Sequence, residues 1–151
     1  MSGNLNGKSA LVTGGSRGIG AAIAKRLAAD GANVAITFNS NKGAADAVVA
    51  DIEKSGVKGV ALQADAADPD AAARAVAETK SAFGGFDILV HNAGYAQFAT
   101  IAEDTFENYR GQFSVNVDGV FAGTRAAADH ISDGGRIIVI GSVNAHTVPV
   151  P

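Results

Sequence analysis

A cluster of glycines near the amino terminus is the part of the sequence best suited to chemistry. Gly14, Gly15, Gly18 and Gly20 fall within seven positions of the segment LVTGGSRGIGAAIAKRL, residues 11–27. Glycine has no Cβ, so a glycine-rich backbone can approach a pyrophosphate closely, and the free N–H groups of a following helix favour the same anion. The spacing therefore predicts a phosphate-binding loop in preference to a plain strand-to-helix turn.

Short apolar segments and helical patterns alternate along the rest of the chain. The predicted strands cover residues 8–14, 32–38, 58–65 and 135–142, and a fourth strand together with its exit covers residues 86–94. Four helical patterns separate them, and the third opens with Asp68 as N-cap and Pro69 in the first helical position. Repeated strand–helix–strand units favour a parallel sheet with helices on both faces. We therefore predict an α/β, Rossmann-like doubly wound fold with strand order 3-2-1-4-5.

The glycine loop and the end of the second strand together predict which dinucleotide would bind. In a doubly wound sheet the ligand lies at the carboxyl ends of the strands, where the strand order reverses. The segment ITFNSNKG, residues 36–43, carries no carboxylate to hold a ribose 2′-hydroxyl. Arg17 can pair with a 2′-phosphate, and Asn39, Ser40 and Lys42 offer further donors. The sequence thus favours NADPH over NADH, although Arg17 as a solvated loop cation remains an alternative.

Four segments, in order, resemble the short-chain dehydrogenase/reductase family. TGGSRGIG at residues 13–20 is similar to the family's TGxxxGxG cofactor motif, and HNAG at 91–94 resembles its NNAG motif with His91 in place of the first asparagine. VNVDG at 115–119 resembles the segment carrying the helix asparagine, and IIVIGS at 137–142 resembles the strand ending in the active-site serine. The resemblance covers essentially the whole chain and is greatest to 3-oxoacyl-acyl-carrier-protein reductase-like members.

The resemblance implies hydride transfer between a nicotinamide cofactor, NADP by the argument above, and a carbonyl or secondary alcohol. It implies that Ser142 positions the substrate oxygen and that Asn116 holds a water in a proton relay. Together with the loop argument it predicts these cofactor contacts: Gly14, Ser16, Arg17, Gly18, Ile19, Gly20, Asn39, Ser40, Asp65, Asn92, Ala93 and Gly94. Three alternatives stay open: Asp65 as a turn cap, Ser142 as a strand-end turn residue, and His91 as an acid/base group or a structural hydrogen-bonding residue.

The family's catalytic Tyr-x-x-x-Lys does not occur in the 151 residues, which end nine residues after Ser142. Tyr95 follows the HNAG segment, and Tyr109 lies on the apolar stripe of the predicted long helix, where we expect it to be core. Asn116 shares a helix face with Phe113 and Val120, so we expect it to point inward and to have hydrogen-bond partners.

We interpret residues 1–151 as one NADP-binding Rossmann domain, incomplete at its carboxyl end, from an NADPH-dependent reductase. The alternative is a truncated nucleotide-binding or interaction module without catalytic activity. A methyltransferase-like fold is a third class, but such folds usually carry a carboxylate after the second strand. If the strand order is as predicted, strand five is an exposed sheet edge, which predicts self-association.

Composition and charge narrow the remaining classes of function. The net charge of −3 without a basic cluster argues against nucleic acid as a partner. The chain has no cysteine, and its three histidines, His91, His130 and His146, are too dispersed to suggest a metal site. No signal peptide or membrane-spanning run is evident, so we expect a cytoplasmic protein that acts on a small-molecule carbonyl or alcohol. The resemblance implies a homo-oligomer, dimer or tetramer, for a complete member.

Overall fold

The computed structural model describes residues 4–143, so His146 and the tail lie outside the described residues. Its strands are β1 (Ser9–Val12), β2 (Asn33–Phe38), β3 (Gly59–Gln63), β4 (Ile88–His91) and β5 (Arg136–Val139). Its helices are α1 (Gly18–Ala29), α2 (Lys42–Glu53), α3 (Pro69–Phe83), α4 (Phe106–Phe113) and α5 (Gly119–Ala128), with a π-helical turn, Ser114–Asp118, joining the last two. All four strand pairings are parallel and the order is β3-β2-β1-β4-β5, which confirms the predicted topology.

The sheet is buried on both faces because successive residues of each strand point to opposite sides. Ala10 and Val12 of β1 belong to a core that also includes residues of α1 and α2. Leu11, between them, belongs to a second core with Leu89 of β4 and residues of α3 and α5. Burying a large apolar side chain contributes about 1.5–3 kcal/mol. This two-sided burial explains why the first, second and fourth strands form continuous apolar runs in the sequence.

The third helix begins where the sequence predicts. Asp68 is the N-cap of α3, and its side chain accepts a hydrogen bond from Asp70 N. Pro69 occupies the first helical position, where the missing N–H costs nothing. Gly84 closes the helix with a φ of 79°, a left-handed conformation that favours glycine.

The predicted long helix is present, but the expectation about its faces was wrong. The run from Phe106 to Ala128 consists of α4, the π-helical turn and α5. Tyr109, expected in the core, is 50% exposed. Asn116 is also exposed rather than inward-facing. The large apolar side chains on the outer side of this run form what we call the outer helical face: Phe106, Tyr109, Phe113, Val117 and Phe121.

Small residues explain why the outer helical face is turned away from the sheet. A Cβ on Gly119 would lie 2.1 Å from the carbonyl oxygen of Ala66, and one on Gly123 would lie 2.7 Å from the imidazole of His91. The backbone of α5 therefore packs almost directly on the end of β4 and on the loop that follows β3. No space is left there for large side chains, so the helical run carries them on its other side.

Strand β5 forms one edge of the sheet, as predicted, and within residues 4–143 its strand partner is β4. All four of its residues are exposed. Self-association through this edge stays a prediction. Among the same residues, no helix combines the length and apolar character needed to cross a membrane.

Candidate functional site

A cleft with a volume of about 580 Å³ opens beyond the carboxyl ends of the central strands. Eleven of the twelve predicted cofactor contacts line it: Gly14, Ser16, Arg17, Gly18, Ile19, Gly20, Asn39, Asp65, Asn92, Ala93 and Gly94. Ser40 was predicted to join them but does not line the cleft. It lies just before Asn41, the N-cap from which α2 starts, so the chain has already turned toward that helix. The topology therefore brings four separate segments of the sequence to one site.

The glycine loop owes its shape to close contacts that larger residues would block. Gly18 has a φ of 55°, a left-handed conformation that costs glycine little. A Cβ on Gly20 would lie 2.4 Å from Asn92 Nδ2 and 2.4 Å from the carbonyl oxygen of Gly14. The first turn of α1 therefore packs directly on the loop and on the segment after β4.

A pair of polar side chains holds the loop after β1 to the segment after β4. Thr13 Oγ1 accepts hydrogen bonds from the backbone N–H groups of Asn92 and Ala93, both at 3.0 Å. In return, Asn92 Nδ2 donates to the carbonyl oxygens of Thr13, at 3.0 Å, and Gly14, at 3.2 Å. These bonds fix the relative position of the two walls of the cleft.

Two threonines with roles at this site were missed as site residues in the sequence. Thr13 makes the bonds just described, and Thr37 lines the cleft while its Oγ1 accepts a hydrogen bond from Gly14 N at 3.0 Å. Both lie at or just beyond the ends of neighbouring strands that lead into the cleft. That shared position was a usable signal, because a hydroxyl there can bond the backbone of an adjacent loop.

The electrostatics of the cleft favour an anion. Helix α1 begins at Gly18 with no side chain capping its free N–H groups and no acidic residue in its first turn. Arg17, just before the helix, is exposed and forms no ion pair with any residue in the described part of the chain. The helix dipole and the guanidinium thus place positive charge at the same end of the cleft.

Asp65 is the one carboxylate among the residues of segment 4–143 that line the cleft. Its Oδ1 accepts a hydrogen bond from Ala67 N at 2.9 Å, so it also caps the turn after β3. The position of Asp65 is therefore compatible both with a cofactor contact and with a turn cap. The carboxylate follows β3, whereas the end of β2, where a ribose 2′-hydroxyl would be read, contributes Asn39.

Asn116 has the hydrogen-bond partners that were expected, although it is exposed. Its Oδ1 accepts from Tyr95 N at 3.0 Å, and its Nδ2 donates to Tyr95 O at 2.7 Å. The side chain thus substitutes for a strand partner and holds the segment just after Gly94 against the π-helical turn. Neither Asn116 nor Ser142, three residues beyond β5, is among the residues that line the cleft.

A dinucleotide fits the groups that the cleft presents. Its pyrophosphate suits the glycine loop and the uncapped end of α1, where backbone N–H groups stabilise phosphate oxygens. The volume lies within the ~300–1,000 Å³ range of small-molecule sites. Within the described part of the chain, no group of three or more histidine, aspartate and glutamate side chains is placed to hold a metal ion.

Comparison with known proteins finds a matching family and similar sequences over nearly the whole chain. The family model described as "short chain dehydrogenase" matches residues 8–151. An uncharacterised oxidoreductase of Methylorubrum extorquens is 50% identical over 139 residues, which are 92% of this chain and 56% of that protein. Versicolorin reductase 1 of Aspergillus parasiticus is 44% identical over 147 residues, which are 97% of this chain and 56% of that protein.

Solved structures of similar proteins share the fold at high identity. A short chain dehydrogenase from Burkholderia cenocepacia, crystallised with NADP, has a TM-score of 0.94 and 53% identity over 97% of this chain and 60% of its own. A blue fluorescent protein from a metagenomic library, in complex with NADPH, has a TM-score of 0.91 and 47% identity over 94% of this chain and 58% of its own. The chain spans somewhat more than half the length of these relatives. The motifs, the topology and the matches together place it in one family: the chain belongs to the short-chain dehydrogenases.

Proposed function

We propose that this chain supplies the NADP(H)-binding part of a short-chain reductase that acts on a carbonyl or secondary alcohol. The observation that carries the proposal is the cleft itself, where the glycine loop, the uncapped end of α1 and Arg17 face a β2 end without a carboxylate. Two similar proteins crystallised with NADP and NADPH support the choice of cofactor. When bound, the nicotinamide would supply or accept the hydride.

Each wall of the cleft has a distinct part in holding the dinucleotide. The N–H groups at the start of α1, from Gly18 to Gly20, would hold the pyrophosphate. Arg17 and Asn39 would hold the 2′-phosphate, since a guanidinium pairs with phosphate through two parallel hydrogen bonds. Asp65 and the segment from Asn92 to Gly94 would complete the opposite walls. These assignments rest on the cleft lining and on the chemistry of each side chain.

A charge reversal at Arg17 tests the choice of cofactor. Arg17→Glu is expected to weaken NADPH binding by about ten- to a hundredfold, because a charge-assisted hydrogen bond contributes about 1.5–3 kcal/mol. NADH, which lacks the 2′-phosphate, should lose less affinity than NADPH. Calorimetric titration of both nucleotides measures the ratio.

Arg125→Glu is the matched control for this charge change. Arg125 is exposed on α5 and does not line the cleft, so the variant alters the net charge equally without touching the site. A preference for NADPH that survives Arg17→Glu would contradict the proposed 2′-phosphate contact. An equal loss in both variants would mean that long-range charge, rather than Arg17 itself, governs binding.

The catalytic step of the whole protein needs groups beyond those described. Ser142 would position the substrate oxygen and Asn116 would hold a water, as the resemblance implies. No Tyr-x-x-x-Lys occurs in the 151 residues. A tyrosine with an ordinary pKa near 10 is a poor base at neutral pH, and a nearby lysine cation favours its phenolate form.

We expect the 151-residue polypeptide, taken alone, to bind NADPH without measurable reduction of a ketone. Loss of a general acid alone costs about 10²–10⁴ in rate. The decrease of NADPH absorbance with a panel of small ketones and 3-oxoacyl thioesters measures this. Turnover above the protein-free background would overturn the role proposed for a tyrosine and lysine. Binding of NADPH without turnover agrees with the proposal, and a nucleotide-binding module would give the same result.

Further parts of the proposal rest on the resemblance. We propose that residues 1–151 belong to one Rossmann domain, that the complete protein is a cytoplasmic homo-oligomer, and that it is similar to 3-oxoacyl-acyl-carrier-protein reductases. Repeating the assay with the corresponding longer polypeptide, if the native gene encodes one, would separate an enzyme from a binding module. Activity gained only by the longer polypeptide supports the reductase.

A further inference from the structure

His91 occupies a central position between the cleft and helix α5. It is the last residue of β4 and is 4% exposed. Its Nε2 lies 3.1 Å from Thr124 Oγ1, and its ring lies against the backbone of Gly123. The next two residues, Asn92 and Ala93, hold the glycine loop through Thr13. One side chain therefore connects α5 to the segment that forms a wall of the cleft.

The surroundings of His91 suit a neutral ring and not a charged one. It borders a small cavity of about 30 Å³. The neighbours from β1, β2, α3 and α5 that share the cavity with His91 carry no charge: Leu11, Thr13, Thr37, Val76, Val120 and Gly123. The partner of His91 on β5 is Val139, which is also uncharged. Asp65 is the one other titratable group in the cavity lining, and its Oδ1 is engaged by Ala67 N.

We propose that His91 is a positioning residue that makes nucleotide binding dependent on pH: the neutral ring holds the segment from Asn92 to Gly94 in place, and protonation releases it. The inference rests on the proposed function, because it concerns the same cleft. A protonated ring would have a second N–H to satisfy and a charge to solvate, whereas the apolar side chains of Leu11, Val76 and Val120 around it stabilise neither.

The direction of the effect follows from proton linkage. Burial lowers the pKa of His91, so the folded protein favours the neutral ring more than an unfolded chain does. The stabilisation by neutral His91 is thus fully present above the unfolded pKa of about 6.5 and is lost as pH falls from there through the lower folded pKa. If nucleotide binding needs the ordered segment, binding must lower the pKa of His91 further.

The first measurement compares NADPH affinity at about pH 7.5 and about pH 5.5 in the wild type and in His91→Asn, which cannot titrate. The 2′-phosphate titrates near pH 6, so both proteins lose some affinity in acid, and the variant serves to subtract this shared effect. We expect the wild-type dissociation constant to rise more than that of the variant as the pH falls through the pKa of His91. The comparison extends to the lowest pH at which both proteins stay folded, and parallel curves over that range would overturn the proposal.

The second measurement needs no variant and so remains decisive if His91→Asn fails to fold. An NMR titration of the His91 imidazole, in the free protein and with saturating NADPH, gives its pKa in both states. His130, which does not line the cleft, is the internal reference. We expect a lower His91 pKa in the complex; equal values would overturn the inference while leaving the proposed function intact. Absence of binding at every pH would overturn the proposed function as well.

Discussion

Replacing Gly20 by alanine is expected to weaken NADPH binding by about ten- to a hundredfold, because overpacking of this kind costs about 1–3 kcal/mol. The added methyl group would lie 2.4 Å from both Asn92 Nδ2 and the carbonyl oxygen of Gly14. The glycine loop and the segment after β4 would have to separate, which breaks the bond between Asn92 and Gly14 and displaces the start of α1. Calorimetric titration of the variant measures the loss.

Gly43→Ala is the matched control, since it makes the same chemical change near the start of another helix. Gly43 lies in α2, where the nearest atom to an added Cβ is Asn41 Oδ1 at 3.8 Å. Alanine should be accommodated there and should stabilise the helix by about 0.5–1 kcal/mol. Wild-type affinity in Gly20→Ala would mean that the close packing of α1 on the loop is not needed for binding.

Replacing Phe86 by alanine is expected to lower the free energy of unfolding by about 3–5 kcal/mol, the usual cost of removing a buried aromatic ring. Phe86 is fully buried in the core between the sheet and helices α3 and α5, together with Val76 and Leu89. Domains of this size have a total stability of about 5–15 kcal/mol, so the variant would lose a large share of it. Urea denaturation followed by circular dichroism measures the change.

Phe106→Ala provides the comparison for this loss. Phe106 is 78% exposed on the outer helical face, and its ring is 5.9 Å from the guanidinium carbon of Arg110. Removing it should change stability by no more than about 1 kcal/mol. If both variants lost the same stability, the division of this chain into a buried core and an exposed outer helical face would be wrong.

The sequence was sufficient to predict the topology because local signals at each element agreed with one another. The alternation of apolar strands with capped helices, such as α3 between Asp68 and Gly84, leaves few arrangements for a parallel sheet. Two strands are shorter than the segments that predicted them: β4 ends at His91, where the chain passes into the cleft wall at Asn92 to Gly94, and β5 ends at Val139. Pattern reasoning does not mark the end of β5, because Ile140 and Gly141 continue its run of apolar and small residues.

The faces of the long helical run could not be predicted, for a physical reason. Apolar periodicity locates a stripe, but it does not reveal whether that stripe faces the core. Here the small residues Gly119 and Gly123 allow α5 to approach the sheet, and this contact decides the orientation. Tyr109 was therefore misplaced, while the hydrogen-bond partners expected for Asn116 were present on an exposed side chain.

Most of the predicted cofactor contacts lie together in the cleft lining, because these glycines and polar residues cluster in short motifs at strand ends, and their contacts with a cofactor stay a prediction. Thr13 and Thr37 were missed as site residues since their importance lies in bonds to distant backbone groups, which no local pattern records. Ser40 follows Asn39 in the sequence but is not part of the lining, so a contact between Ser40 and a cofactor stays an untested prediction.

The hydrogen bonds that Asn92 N and Ala93 N donate to Thr13 Oγ1 join positions separated by 79 and 80 residues. During synthesis at 5–20 residues per second, the phosphate loop therefore waits ~4–16 s for its partner segment to be made. Until then one edge of β1 lacks β4, and the loop has its bonds to Thr37 of β2 but not those to Asn92 and Ala93. A nascent chain that has reached only β3 should be unable to retain NADPH, so competence to bind would arise late in translation rather than with the glycine motif itself.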